Sequence, residues 1–163
     1  MTNNTKTNAK INTGHRYLDD FIVGETFKAE SFTLTEQAML NFALSYDPQP
    51  FHTDANAATE GPYGGLIGSG FQTLSLCFCR LVQSGIFNAV SMGGPGIDEV
   101  RFLSPVRPGD TIYPQAEILS ITPSNSKPDR GIMRIQYRGY NQHGTEVIHF
   151  ITIMIGKRQP VTQ

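Results

Sequence analysis

Charged side chains are scarce in this 163-residue sequence, and their signs nearly cancel. Asp, Glu, Lys and Arg make up 17% of the residues, below the usual share of about 25%, and the formal net charge is −1. No basic run concentrates the charge that binds a nucleic-acid backbone, so nucleic acid is excluded as a partner. The shortage of charge also fits a chain that covers part of its surface in an oligomer.

Long apolar runs are also missing. The most apolar stretch, residues 74–82, is interrupted by Arg80 and is far too short to span a bilayer, so no membrane contact is expected. Residues 1–14 are rich in Asn and Thr and have no apolar segment, so they do not form a secretory signal. They are expected to be a disordered polar tail, and the protein is expected to be cytoplasmic.

Metal-binding patterns are absent as well. The two cysteines, Cys77 and Cys79, stand two apart in a helix-like run, where they point to different faces. Both are expected to be buried packing residues rather than a disulfide or a metal pair. His15, His143 and His149 have no partner that sequence spacing supplies, so no metal site is expected.

Apolar periodicity predicts three helices in the first half of the chain. The first covers Glu36–Tyr46, with Thr33 and Glu36 at the spacing of a capping box. A short turn covers residues 54–59, and a longer helix runs from about Ser69, as its cap, to about Gly85. The expected apolar faces are Met39, Leu40, Ala43 and Leu44 on the first helix, and Phe71, Leu74, Phe78, Leu81 and Val82 on the last.

The rest of the chain alternates as strands do. Strands are expected at residues 26–32, 96–106, 110–121, 131–140 and 145–157. The last one is apolar on both faces, so it should lie inside a sheet. Helices followed by an antiparallel meander predict an α+β fold in which a sheet wraps a long helix. The length favours one domain, at residues 15–158, with a short tail at 159–163.

The most informative motif is Asp47-Pro48-Gln49-Pro50-Phe51-His52-Thr53-Asp54. It holds a carboxyl group and an imidazole five residues apart on a segment that two prolines stiffen. Such a pair can handle one water molecule, because one group takes a proton while the other orients or returns it. The alternative is a plain helix-terminating turn, with Asp47 bonded to loop amides and His52 exposed.

A second motif, Gly64-Gly65-Leu66-Ile67-Gly68-Ser69-Gly70-Phe71, directly precedes the long helix. Backbone N–H groups at a helix start are unpaired and carry the positive end of the dipole, so they can stabilise an oxyanion. The alternative is a tight glycine turn with Ser69 as an ordinary N-cap. The motif lacks the Lys and Ser/Thr of a nucleotide phosphate loop.

These motifs, with Gly96-Ile97-Asp98-Glu99-Val100-Arg101-Phe102 and Pro105-Val106-Arg107-Pro108-Gly109-Asp110, resemble the MaoC-like acyl dehydratases. This is the (R)-specific enoyl-CoA hydratase group of the hotdog superfamily, and the resemblance covers residues 17–157. It implies a hotdog fold, with an antiparallel sheet around a central helix, and a homodimer or higher even-numbered oligomer. The implied activity is reversible syn hydration of trans-2-enoyl-CoA to (3R)-hydroxyacyl-CoA.

The resemblance also implies roles for individual residues. Asp47 and His52 would bind and activate the water, and the Gly70 amide would stabilise the thioester oxyanion. The positions expected to contact the substrate are Ser69, Phe51, Gly65 and Ile67. No metal or redox cofactor is implied, since coenzyme A arrives as part of the acyl-CoA substrate.

Two positions depart from the family pattern and leave the accepted acyl group open. Ser69 stands where the hydratases commonly have His, and it cannot shuttle a proton near neutral pH. Phe78 stands where some members have a serine on the central helix. The candidates for an acyl tunnel or for plain core are Phe51, Phe71 and Phe78. The candidates for coenzyme A phosphate contacts or for a solvated strand face are Arg101, Arg107 and Arg134.

Two other functions stay open at this point. A thioesterase would share the fold and direct a carboxylate-bound water at C1 of the thioester rather than C3. A catalytically silent acyl-CoA-binding module would have no need of a water-activating pair, so the presence of Asp47 and His52 argues against it.

Overall fold

The computed structural model describes residues 15–160. The expected tail at residues 1–14 lies outside this part, as do residues 161–163 of the expected C-terminal tail. The described chain begins with a 3-10 turn at Leu18–Asp20, followed by two short strands, β1 (Thr26–Lys28) and β2 (Phe32–Thr33). The sequence predicted a single strand here. Residues 29–31 interrupt it instead, and its two pieces form separate ladders.

Four helices follow: α1 (Glu36–Tyr46), α2 (Pro50–Thr53), α3 (Ala55–Glu60) and α4 (Gly70–Gln83). The bounds of α1 are those predicted, but its cap is Thr35 rather than Thr33. The Thr35 hydroxyl accepts a hydrogen bond from the N–H of Ala38 at 3.2 Å, which satisfies one unpaired donor of the first turn. No helix within residues 15–160 has the length and apolar character needed to cross a membrane.

The remaining strands are β3 (Gly96–Phe102), β4 (Thr111–Pro123), β5 (Arg130–Tyr140) and β6 (Glu146–Lys157). All pairings are antiparallel, with strand order β1-β4-β5-β6-β3, and β2 also pairs with β4. β6 lies between β5 and β3, as its two apolar faces predicted. β3 is an outer strand, so one of its edges has no partner in the described part of the chain.

The core lies between α4 and the inner face of the sheet, where α4 packs on β4, β5 and β6. Cys77 and Leu81 of α4 are fully buried there, together with Met133, Ile135 and Phe150 of the sheet. Burial of each large apolar side chain contributes about 1.5–3 kcal/mol. Gly139 allows the close approach, because a Cβ at this position would lie 3.1 Å from the Cys77 sulfur and 2.9 Å from Ile148.

The apolar face predicted for α4 is largely wrong. Leu81 is buried and Leu74 is half-buried, but Phe71, Phe78 and Val82 are exposed to 60%, 41% and 39%. The buried side of the helix holds the polar residues Gln72 and Thr73 next to Cys77. Gln72 is accommodated because its Nε2 donates to the Ala38 carbonyl at 2.9 Å. On α1, Leu44 is exposed as well, against expectation.

Two smaller expectations also fail. Cys79 is exposed, whereas Cys77 is buried and burial raises its thiol pKa to about 12. His149 does have a partner, since its Nδ1 lies 3.0 Å from Oε1 of Glu146 on the same strand. The β5–β6 register shifts at this end of the hairpin, so regular alternation of faces does not hold there.

Candidate active site

Asp47 and His52 lie close together because the backbone folds back between them. The N–H of Gln49 donates to the Asp47 carbonyl at 2.8 Å, and the N–H of His52 donates to the Gln49 carbonyl at 2.9 Å. Pro50 begins the one-turn α2, where a proline has a suitable φ and needs no N–H. As a result, His52 Nε2 lies 3.2 Å from Asp47 Oδ2. His52 is buried, so the alternative turn with an exposed histidine is wrong.

The contact of the second ring nitrogen, Nδ1, indicates the tautomer of His52. Nδ1 is 2.8 Å from the Ile67 carbonyl oxygen, which can only accept, so Nδ1 carries a hydrogen. In a neutral imidazole, Nε2 would then present its lone pair to the Asp47 carboxylate, which is also an acceptor. A hydrogen bond between Nε2 and Oδ2, which lie 3.2 Å apart, therefore needs one proton between the two atoms.

Two further side chains donate to Asp47. The Ser69 hydroxyl donates to Oδ2 at 2.7 Å, and Gln49 Nε2 donates to Oδ1 at 2.8 Å. Burial by itself raises the pKa of Asp47, but the hydrogen bonds from Ser69 and Gln49 and the interactions with His52 together lower it below its ordinary value. The carboxylate form of Asp47 is therefore favoured.

Gly70 brings the start of α4 to the same place. As the first residue of the helix, its N–H has no acceptor within the helix. Ser69 occupies the N-cap position but makes no side-chain cap hydrogen bond, because its hydroxyl is donated to Asp47. The prediction that Ser69 caps α4 with its side chain is wrong. The unpaired N–H groups of the first turn thus keep their positive partial charge available to a ligand.

A cavity of about 330 Å³ joins the two motifs. Asp47, His52 and Gly70 all lie in its wall. The other walls are mostly apolar, with the side chains of Phe51, Ile67, Phe71, Phe102, Leu103 and Val106. One polar corner in an apolar cleft is the usual construction of a small-molecule site.

The four positions expected to contact a substrate divide into two groups. Phe51 and Ile67 line the cavity. Ser69 and Gly65 are not among the lining residues: Ser69 is fully buried behind Asp47. The Gly65 N–H donates to the Ala58 carbonyl at 2.8 Å, and the Gly65 φ of 147° favours glycine, so this residue shapes the loop.

The remaining candidates also separate. Phe71 lines the cavity, whereas Phe78 lines a second cavity of about 410 Å³ beside β3. Arg107 is not among the residues that line the first cavity, but its Nη2 donates to the carbonyl of the lining residue Tyr63. Arg134 pairs with Asp98 at 2.8 Å, and Arg101 donates to the carbonyl of Val100.

Several lining residues were missed by sequence reasoning. Gln49 stands inside the first motif, and its position two residues after Asp47 could have identified it as a donor to that carboxylate. Phe102 and Leu103 come from the end of β3, and Val147 and Ile148 come from β6. Only the fold brings these strand residues to the motif loops, so no local signal marks them.

The arrangement can hold one water molecule and one polarised oxygen. Asp47 can take a proton from water, His52 can return one, and the Gly70 N–H can donate to an oxygen that gains charge. Among residues 15–160, no three His, Cys, Asp or Glu side chains form a group that could hold a metal ion.

Comparison with known proteins gives consistent matches. A family model described as "MaoC like domain" matches residues 20–133. The uncharacterized protein YdeM of Bacillus subtilis is 31% identical over 130 residues, covering 80% of this chain and 91% of that protein. Mesaconyl-CoA hydratase of Cereibacter sphaeroides is 33% identical over 84 residues, which are 51% of this chain and 24% of that longer protein.

A solved structure supports the fold in the same way. The crystal structure of the MaoC-like dehydratase from Rhodospirillum rubrum is 35% identical, with a TM-score of 0.82 over 90% of this chain and 99% of that chain. The antiparallel sheet with α4 packed on it thus has the expected hotdog architecture, and the predicted α+β class is confirmed.

Proposed function

The chain belongs to the MaoC-like dehydratase family, and we propose that it is a hydro-lyase acting on acyl thioesters. It adds water reversibly to a trans-2-enoyl-CoA and gives the (3R)-hydroxyacyl-CoA. One observation supports the proposal: Asp47 Oδ2 and His52 Nε2 lie 3.2 Å apart in the wall of a cavity that Gly70, the first residue of α4, also lines.

In this reaction Asp47 is the base. Its carboxylate accepts a proton from the water as the water oxygen forms a bond to C3 of the enoyl group. The electron pair of the C2–C3 double bond moves toward the thioester oxygen, and the Gly70 N–H stabilises the developing enolate. Such a donor is worth roughly 10²–10³-fold in rate.

His52 is the acid. Its Nε2–H gives a proton to C2, which closes the hydration with the new C–H and C–O bonds on one face. The proton taken by Asp47 then returns to Nε2 across the 3.2 Å contact, so the pair is restored and one water molecule has been added. Acid–base catalysis of this kind contributes roughly 10²–10⁴-fold.

The proposed substrate carries its own cofactor group. Coenzyme A enters with the acyl chain, and the chemistry asks for no metal or redox group. Arg107, which bonds the carbonyl of the lining residue Tyr63, is the proposed contact for a coenzyme A phosphate, because a guanidinium suits bidentate phosphate binding. Its Nη1 atom also lies close to Gly65, within 3.2 Å of where a Cβ would be.

The proposed partner is a second copy of the chain. Phe71, Phe78 and Val82 on α4 and Ile97 on β3 expose apolar side chains beside the edge of β3 that has no partner within residues 15–160. An open edge strand beside apolar surface favours pairing with another strand. A second copy offers the same edge and the same apolar residues, so a two-fold interface would cover both at once.

The test uses the purified full chain with crotonyl-CoA and follows enoyl absorbance and thiol release in parallel. We expect absorbance to fall without thiol release, and Asp47→Asn and His52→Gln each to reduce the rate by roughly 10²–10⁴-fold. The matched control is Asp54→Asn, in the same motif, because Asp54 caps α3. Full activity in both site variants contradicts the assigned roles, and thiol release by the wild-type protein favours a thioesterase.

A further inference from the structure

Ser69 combines a helix-cap position with a side chain that does not cap. It precedes α4 with extended backbone angles, as an N-cap residue does, and serine there usually accepts a hydrogen bond from the second or third helical N–H. No such bond is present. The hydroxyl donates instead to Asp47 Oδ2 at 2.7 Å, and the side chain is fully buried.

The Ser69 bond and the Gln49 bond hold the two carboxylate oxygens separately. Ser69 donates to Oδ2, the oxygen that also faces His52, and Gln49 donates to Oδ1 from the other side. Gln49 is itself exposed, and its backbone is restricted by the prolines on either side. Together the two donors fix the plane of the carboxyl group relative to Nε2.

The same donors also affect the pKa of Asp47. Burial favours the protonated acid and raises the pKa of Asp47, while Ser69, Gln49 and His52 favour the carboxylate and lower it. Without the Ser69 hydroxyl, fewer interactions oppose the effect of burial, so the pKa of Asp47 should rise.

We infer that Ser69 is a positioning residue that keeps Asp47 oriented toward His52 and ionised as the base of the proposed hydration. It acts through Asp47 and does not touch the substrate. The inference rests on the proposed function for its catalytic consequence, but the effect on Asp47 is independent of any substrate. By giving up the cap, Ser69 also leaves the first N–H groups of α4 available to the thioester oxygen.

The first readout is the titration of Asp47 in the free protein, followed by NMR with ¹³C-labelled aspartate carboxyls. Loss of its resonance in Asp47→Asn assigns the signal. We expect the Asp47 midpoint to move to higher pH in Ser69→Ala and to move less in Gln49→Leu, because that donor is exposed. Ser84→Ala is the matched control: its hydroxyl donates to the Leu81 carbonyl at the far end of α4, and the Asp47 midpoint should not move.

The second readout is the pH profile of kcat/KM with crotonyl-CoA. While Asp47 is ionised, the wild-type kcat/KM should stay constant as the pH falls, down to the ordinary range of an aspartate. In Ser69→Ala the fall in kcat/KM should begin at a higher pH. At a pH where only the variant has begun to lose activity, we expect its kcat/KM to be roughly 10-fold to 100-fold below that of wild type, which corresponds to the loss of a hydrogen bond to a charged group. A merely structural change would lower the rate evenly at every pH.

The outcomes separate the two proposals. An unmoved Asp47 midpoint in folded Ser69→Ala overturns the role of Ser69, as does an even loss of rate at all pH values. If Ser69→Ala does not fold, an unmoved midpoint in Gln49→Leu overturns the donor argument. A raised midpoint in a chain that hydrates no 2-enoyl-CoA supports the role of Ser69 and contradicts the hydratase function.

Discussion

The ring of Phe102 lies directly against Gly70. A Cβ built on Gly70 would stand 2.5 Å from two ring carbons, closer than real Cβ contacts come, so only glycine fits under the ring as it lies. Phe102 also meets Phe71 edge-on, with ring centroids 5.9 Å apart. The end of β3 therefore covers the tip of α4 and limits the room beside the proposed oxyanion donor.

Gly70→Ala should displace the Phe102 ring. We expect the free energy of unfolding to fall by about 1–3 kcal/mol, which is typical of substitutions that add atoms to a filled site. We also expect kcat/KM to fall. Phe102→Ala in the double variant should restore the stability lost by Gly70→Ala, with Phe102→Ala alone as the reference. Thermal unfolding of the four proteins checks this. Equal stability of Gly70→Ala and wild type would contradict the contact.

Asp19→Asn should lower stability at neutral pH and not in acid. Arg158 donates to Asp19 at 2.9 and 2.7 Å, and these hydrogen bonds lower the pKa of Asp19 below its ordinary value of 3.8. A lowered pKa contributes stability above the ordinary value, and the contribution is lost as pH falls through the lowered one. Since both side chains are about one-third exposed, the expected loss at pH 7 is below about 1 kcal/mol.

Urea unfolding of wild type and Asp19→Asn at neutral pH and at pH values below the ordinary aspartate range measures this difference. It should shrink steadily as the pH falls, and high salt at neutral pH should reduce it as well. A difference that is the same at every pH would mean that the ion pair is not its cause.

Ile97→Lys should prevent self-association. Ile97 is 45% exposed on β3, so the charge leaves the isolated fold intact but places two lysines at a two-fold contact. The matched control is Leu44→Lys, which puts the same charge on an exposed apolar residue of α1. Light scattering after gel filtration should give a monomer for Ile97→Lys and a dimer for wild type and Leu44→Lys. A monomeric wild-type chain contradicts the proposed interface.

Thr35→Ala should destabilise the protein without affecting the site. It removes the hydroxyl that caps α1, so we expect a loss of about 0.5–2 kcal/mol in the free energy of unfolding. Thr33→Ala is the comparison, because Thr33 lies in β2 and its hydroxyl bonds only that of Thr111 on the exposed surface. Chemical denaturation of both variants measures the difference, and a larger loss in Thr33→Ala would reverse the assignment.

Regular periodicity was a reliable guide to the elements of this fold. The predicted bounds of α1 match the structure, and β4, β5 and β6 lie within two residues of expectation, whereas β3 ends at Phe102, four residues before its predicted end. The cap of α1 was misassigned because Thr33 and Thr35 both precede the helix, and only the backbone decides which one meets a free N–H. The one-turn α2 is shorter than any period that could reveal it.

The exposed face of α4 shows where periodicity fails. Apolar residues identified a stripe of Phe71, Phe78 and Val82, but the sheet packs on the side that carries Cys77, and Gln72 is buried against α1. An apolar stripe indicates which side of a helix is covered by other residues. It does not show whether those residues belong to the same chain or to a second copy. The small Cys77 sits on the sheet because Gly139 opposite it leaves space for close approach.

The candidate site was partly readable from the sequence. Asp47 and His52 stand within one stiff segment, so their meeting is a local event that spacing and two prolines could predict. The sequence also marks Ser69, but as a helix cap rather than as a donor to Asp47. Its hydroxyl can bond either a helix N–H or a carboxylate, and the sequence alone does not show which. The apolar walls from Phe102 and Ile148 depend on sheet pairing and carried no local mark.

The two prolines around Gln49 also act before the chain folds. Pro48 and Pro50 limit the conformations of their own backbone and of the residues before them, including Asp47. The unfolded ensemble is thus already narrowed where the acid–base pair must form, so ordering this segment costs less entropy than ordering a flexible loop of equal length. Asp47 and His52 are thus brought within reach of each other largely by short-range backbone stiffness, before contacts from Ile67 and Ser69 fix their orientation.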